Sequence, residues 1–131
     1  MNLANISHHG AVNGVTGSCH ELHIDNNNSI LIDCGLFQGA EKSAKGSAHH
    51  EQMAIDFSLK TVQALVITHV HIDHVGRIPY LLAAGFDSPI YCSEATALLL
   101  PEVLEDAVKI GFTQNRHLIS KFISRDRKSV V

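Results

Sequence analysis

Four of the six residues from 69 to 74 carry metal-binding side chains. They are His69, His71, Asp73 and His74, in the run Thr68-His69-Val70-His71-Ile72-Asp73-His74-Val75-Gly76. Imidazole nitrogens and a carboxylate suit zinc, and also manganese or iron. Side chains at i and i+2 share one face of an extended chain, whereas in a helix His69 and His71 would point to nearly opposite sides. His69, His71 and Asp73 therefore converge if the chain stays extended, and a turn brings in His74 from another angle. Shared between two ions, such ligands would serve hydrolysis, because a two-metal site clamps the attacking and leaving oxygens and lowers the pKa of water. The competing reading is a chance histidine cluster on a surface loop. The density of ligands, and their place after an apolar strand, argue against it.

That strand is Leu65-Val66-Ile67, a short β-branched run ended by Thr68-His69. In open α/β sheets, ligands gather beyond the carboxyl ends of strands. Upstream, residues 2–7 read as a first strand and residues 10–18 as a small-residue loop. Cys19–Ile24 and Ile30–Asp33 read as a hairpin around the turn cluster Asp25-Asn26-Asn27-Asn28. Residues 35–48 form a long polar loop. Downstream, Pro79 and Gly85 bracket a short helix, and Pro89–Cys92 is a further strand. Ser93 is an N-cap for a helix through Leu100. Pro101 is expected to restart or kink that helix. Beyond it, Val103, Leu104, Ala107, Val108 and Ile110 make an apolar stripe, extended by Leu118, Ile119 and Phe122 if helicity continues. The order of hairpin, strand, helix, strand, helix is an α/β layout whose second half resembles a βαβ unit.

The 131 residues form one domain by length, and 45% hydrophobic content excludes a disordered tail. No apolar run approaches the roughly 20 residues a membrane helix needs, and the start of the chain does not read as a signal peptide. Net charge of −3 excludes a strongly basic coat for nucleic acid. Five of the ten Lys and Arg residues lie in 116–131, beside a single acid. That run reads as a solvated terminus, with a phosphate-facing patch as the sharper alternative. Cys19, Cys34 and Cys92 make no paired motif, so reduced thiols in a cytoplasm are expected. Among the other histidines, His8 and His9 read as a surface pair. His20 and His23 read as structural or exposed beside a strand, and His49 and His50 as the start of a helix.

The motif around His69 resembles the metal-binding signature of the metallo-β-lactamase superfamily. Three segments resemble its β-CASP branch of RNA- and DNA-processing nucleases: Val15-Thr16-Gly17-Ser18-Cys19, the run Asp33-Cys34-Gly35-Leu36-Phe37-Gln38-Gly39, and Gly76-Arg77-Ile78-Pro79-Tyr80-Leu81. The resemblance covers residues 8–110 or so and implies an αββα fold, of which residues 1–131 are the amino-terminal portion. It implies two zinc ions in a complete enzyme, with manganese or iron as alternatives. His69 and His71 match ligands of the first ion, and Asp73 and His74 ligands of the second. Asp73 also matches the residue that orients or activates the attacking water. Asp33 matches an aspartate beneath the site that positions a ligand histidine, with a turn residue after a strand as the lesser alternative.

The family completes its site with later His and Asp residues and carries a β-CASP insert. After His74 this chain has only His117, which does not match those motifs. The leading expectation is part of a metal-dependent phosphodiesterase acting on RNA or DNA, inactive as 131 residues alone. One alternative is a hydrolase of thioesters or lactones, against which Arg77-Ile78-Pro79-Tyr80 argues. The other is a non-enzymatic remnant that folds and self-associates, through an uncovered sheet face or the apolar stripe.

Overall fold

The computed structural model describes residues 4–38 and 54–111. Five strands form one sheet in the order β1-β2-β3-β4-β5. They are β1 (Asn5–His8), β2 (His20–His23), β3 (Ser29–Ile32), β4 (Val62–Val66) and β5 (Ile90–Tyr91). The first three are antiparallel neighbours; β3, β4 and β5 run parallel. Helices α1 (Ile72–Val75) and α2 (Ile78–Ala83) cross from β4 to β5, and α3 (Glu94–Gly111) follows. The expected α/β order is the observed one.

Local chemistry explains the joints. Asp25 accepts from Asn27 N at 2.8 Å and from Asn28 Nδ2 at 2.9 Å, which closes the β2–β3 turn. Pro79 sits in the first turn of α2, where no backbone N–H is needed. Gly85 takes φ 104° just beyond the helix, a conformation other residues rarely adopt. Ser93 Oγ accepts from Thr96 N at 3.2 Å and caps α3 as expected.

α3 removes the restart expected at Pro101, since it runs through that residue as one helix. Burial of Leu100, Leu104 and Val108 on the core outweighs the missing backbone hydrogen bond. The stripe is thereby accounted for: Leu104, Ala107 and Val108 are buried within the chain and Val103 packs beside them, so these residues are not free to contact a second copy. The side chain of Ile110, with Leu118, Ile119, Phe122, His49, His50 and the basic run, lies outside the described residues.

The helices cover one face of the sheet, where Leu31, Leu65 and Ile90 are fully buried against Ile78, Leu81 and Leu100. The registers place Ile6, Leu22, Ile30, Ile32, Val66 and Tyr91 on the opposite face. There Ile6 is 53% and Tyr91 45% exposed, and the other four are half-buried.

Glu21 is the charged residue on the covered face, 4% exposed. Its carboxylate accepts from Ser29 Oγ at 2.6 Å and pairs with His9 Nε2 at 2.8 Å. His9 also stacks on Phe57 at 3.7 Å, so it is not the surface residue expected from sequence. His8 is exposed and meets His20, while His23 meets Ser7. Burial pushes the Glu21 carboxyl up, but the bonds from Ser29 and His9 and the charge of His23 outweigh it. The net result lies below the ordinary glutamate range. A carboxyl depressed by folding stabilises above its unfolded pKa, and that contribution disappears as pH falls through the folded value. Urea midpoints should therefore drop on acidification below the usual glutamate range, with a shallower drop in Glu21→Gln; parallel profiles would refute the assignment.

Candidate metal centre

The site begins where β4 ends. Ile67 is still held in the sheet, its N–H donating to Tyr91 O at 2.9 Å. His71 remains extended, with φ −65° and ψ 146°, and α1 starts at Ile72. The expected extended run thus stops two residues before Asp73, which lies in the first helical turn. The turn forms because His74 N and Val75 N both donate to His71 O, at 2.8 and 3.1 Å.

His69 and His71 are brought together, with ring centroids 4.7 Å apart. The His69 and His74 rings lie at 4.0 Å. Asp73 Oδ2 is 3.6 Å from His74 Nε2. The four candidate residues are thus neighbours at the carboxyl end of β4.

Asp33 organises two of them from below. It is 2% exposed and adopts φ 63°, a left-handed conformation that aspartate tolerates better than most residues. Oδ1 accepts from Thr68 N at 2.8 Å. Oδ2 accepts from Thr68 Oγ1 at 2.7 Å and from His74 Nδ1 at 2.8 Å. A carboxylate only accepts, so a proton sits on His74 Nδ1, and the neutral ring keeps its lone pair on Nε2. The Thr68 hydroxyl spends its own proton on Asp33. Its oxygen therefore accepts from His69 Nδ1 at 3.1 Å, and His69 too presents Nε2 as a lone pair. Carboxylates that orient ligand histidines through the far ring nitrogen are the usual support of metal sites.

Three imidazoles, two with their tautomer set this way, and one carboxylate suit zinc by donor chemistry. Among the described residues, however, no three donors already stand as an ion-holding group. The rings pack on one another instead, edge-on for His69 and His71 and tilted for His69 and His74. The donor set fits a divalent ion in kind, and as a partial site in number.

Sequence reasoning missed the frame around these residues. Arg77 is 2% exposed, and its guanidinium donates to Gly35 O and to Gly17 O. Phe37 lies beneath it at 4.9 Å. Arg77 N donates to Cys34 O at 2.9 Å. One residue thus joins the 10–18 loop, the β3 exit and the helix after the motif. Cys34 N also donates to His74 O at 2.8 Å, and Ser18 N to Asp73 O at 3.0 Å. Gly35 passes so close to Asp73 that a Cβ there would meet Asp73 O at 1.6 Å.

Comparison with known proteins agrees with this arrangement. A ribonuclease of Thermus thermophilus is 43% identical over 77% of this chain and 22% of its own length. Transcription termination factor FttA of Methanococcus maripaludis is 34% identical over 78% of this chain and 15% of its own. An Integrator complex subunit 11 homolog of Dictyostelium discoideum is 33% identical over 77% of this chain and 14% of its own. The chain therefore spans about a fifth or less of the length of these relatives. The name of the first accords with the nuclease branch that the Asp33–Gly39 and Gly76–Leu81 segments resemble. The family model of the metallo-β-lactamase superfamily matches residues 13–128, and the chain belongs to that superfamily.

Proposed function

We propose that this chain is the amino-terminal portion of a β-CASP metallo-β-lactamase domain and supplies the first ligands of a two-zinc ribonuclease centre. The observation that carries this reading is the Asp33 network, which leaves lone pairs on Nε2 of both His69 and His74. His69 and His71 would hold the first ion, and Asp73 and His74 would share the second; manganese or iron suits the same donors. Bound ions would contribute Lewis acidity, making water more acidic and stabilising charge on a phosphoryl group.

The chain's own residues do the rest. Asp73, 26% exposed, accepts a hydrogen bond from the attacking water and orients it toward phosphorus. Attack forms the new P–O bond as the bond to the ribose oxygen breaks, and the proton that the Asp73 carboxylate takes from water passes to the departing ribose oxygen, which leaves as a hydroxyl. Asp33 keeps the protons of His74 and His69 on Nδ1 throughout. RNA is favoured over DNA because a similar protein is named a ribonuclease. The open sheet face suits self-association of the isolated chain, read by sedimentation equilibrium. The three thiols go with a cytoplasmic setting.

The test is hydrolysis of labelled single-stranded RNA and DNA by a longer protein carrying this sequence with further His and Asp ligands. Cleavage of RNA that is lost in Asp73→Asn and His71→Ala supports the reading. Turnover of thioesters or lactones without RNA cleavage, or RNA cleavage unaffected by both substitutions, overturns it.

A further inference from the structure

β2 and β3 pair antiparallel with His20 opposite Ile32. One more step of that register would set Cys19 opposite Asp33. The register changes there instead. Asp33 takes φ 63°, and the next hydrogen bond runs from Gly35 N to Ser18 O at 2.9 Å. Ser18 therefore faces Gly35, and Cys19 faces Cys34, as when a bulge inserts one extra residue into one strand.

One bond of the Ser18–Gly35 pair is made, since Ser18 N turns to Asp73 O and Cys34 N to His74 O, and Cys19 and Cys34 lie beside it in the position of a non-hydrogen-bonded pair. Such pairs bring Cα atoms to about 4.5 Å with side chains close, inside the roughly 4.4–6.8 Å span that disulfides bridge. Both residues are 0% exposed and share the core cluster. The neighbouring Cys34 and burial push the Cys19 thiol above the usual cysteine range, while Cys19 and the Arg77 charge hold Cys34 below it. Cys92 is half-buried and lies in neither strand of the pair.

We infer that Cys19 and Cys34 are a reversible oxidation site, closing to an intramolecular disulfide with a peroxide as oxidant. One Sγ attacks a peroxide oxygen, the O–O bond breaks, water leaves, and a sulfenic acid remains. The second Sγ attacks that sulfur, the S–S bond forms, the S–O bond breaks, and a second water carries off the remaining proton. Two thiols lose two electrons, and the peroxide is reduced to water. Burial means that the oxidant enters through local opening, so closure is slow compared with modification of Cys92. The bond would tie the residue after Asp33 to the entry of β2, directly beneath His74. The inference rests on the strand register and is independent of the proposed function.

The test uses the Cys92→Ser chain, which leaves the pair untouched. Folded protein is treated with hydrogen peroxide, quenched, denatured and alkylated. The expected result is loss of both alkylatable thiols, a monomer lighter by two hydrogen atoms, and a peptide joining Cys19 to Cys34. Dithiothreitol should restore both thiols. In the unsubstituted chain all three thiols should be lost, Cys92 ahead of the pair and outside the Cys19–Cys34 crosslinked peptide. Two alkylatable thiols after prolonged oxidation, sulfonic acids without a crosslink, or crosslinking only between chains would each overturn the inference.

Discussion

Asp33→Ala should cost the fold on the order of 2 kcal/mol, because it removes a buried acceptor from three part-buried hydrogen bonds whose donors water reaches in part. Thr68 N, Thr68 Oγ1 and His74 Nδ1 all lose their acceptor. Alanine gains little in return, since φ 63° is harder for it than for aspartate. The same change frees the tautomers of His74 and His69. Loss of such support typically weakens metal binding about 10–100-fold. Asp33→Asn separates the two effects. It keeps the shape and one acceptor oxygen, so the fold should suffer less than the metal affinity. The checks are urea unfolding and zinc competition against a chromophoric chelator. An Asp33→Ala chain as stable as the parent, with unchanged zinc affinity, would show that Asp33 is only a turn residue.

Gly35→Ala should be worse, although it adds a single methyl group. Its Cβ would lie 1.6 Å from Asp73 O and 2.7 Å from His74 N, and these are backbone atoms that cannot rotate away. The β3 exit or the start of α1 must therefore move. Overpacking ordinarily costs about 1–3 kcal/mol and occasionally more; a clash this deep should exceed 3 kcal/mol or prevent folding. Gly85→Ala is the control, since nothing lies within 4 Å of its Cβ and only the φ of 104° opposes it. Thermal denaturation should rank Gly35→Ala far below Gly85→Ala. Equal midpoints would mean that the two segments are not in contact.

Much of this was legible because its signals are local. Donor residues dense in sequence after an apolar strand mark themselves, and so do the Asp25–Asn28 turn and the Ser93 cap. Asp33 was reached through resemblance, because a lone aspartate after a strand looks like a turn residue. Arg77 and Glu21 were missed as buried groups, since charged residues are normally exposed unless paired. Their partners are distant in sequence: Gly17 and Gly35 for Arg77, His9 and Ser29 for Glu21. Alternation along β2 even pointed the wrong way, for Leu22 takes the open face while Glu21 is on the covered one. Pro101 misled for a related reason: its local cost is outweighed by core contacts that no short window shows. The facing of Cys19 and Cys34 depends on a one-residue register change at Asp33, which composition and spacing do not encode.

The central claim is that His69, His71, Asp73 and His74 form a partial metal site. Calorimetric titration of zinc into the chelator-free chain tests it most directly, with His69→Ala/His71→Ala and His8→Ala in parallel. The parent chain and His8→Ala should show the same weak binding, since each ion would find only about two ligands where catalytic zinc usually has three, and the double variant should lose the share of the heat that belongs to the first ion. Two tight sites on the parent chain, or identical heats from the parent and the double variant, would contradict the account.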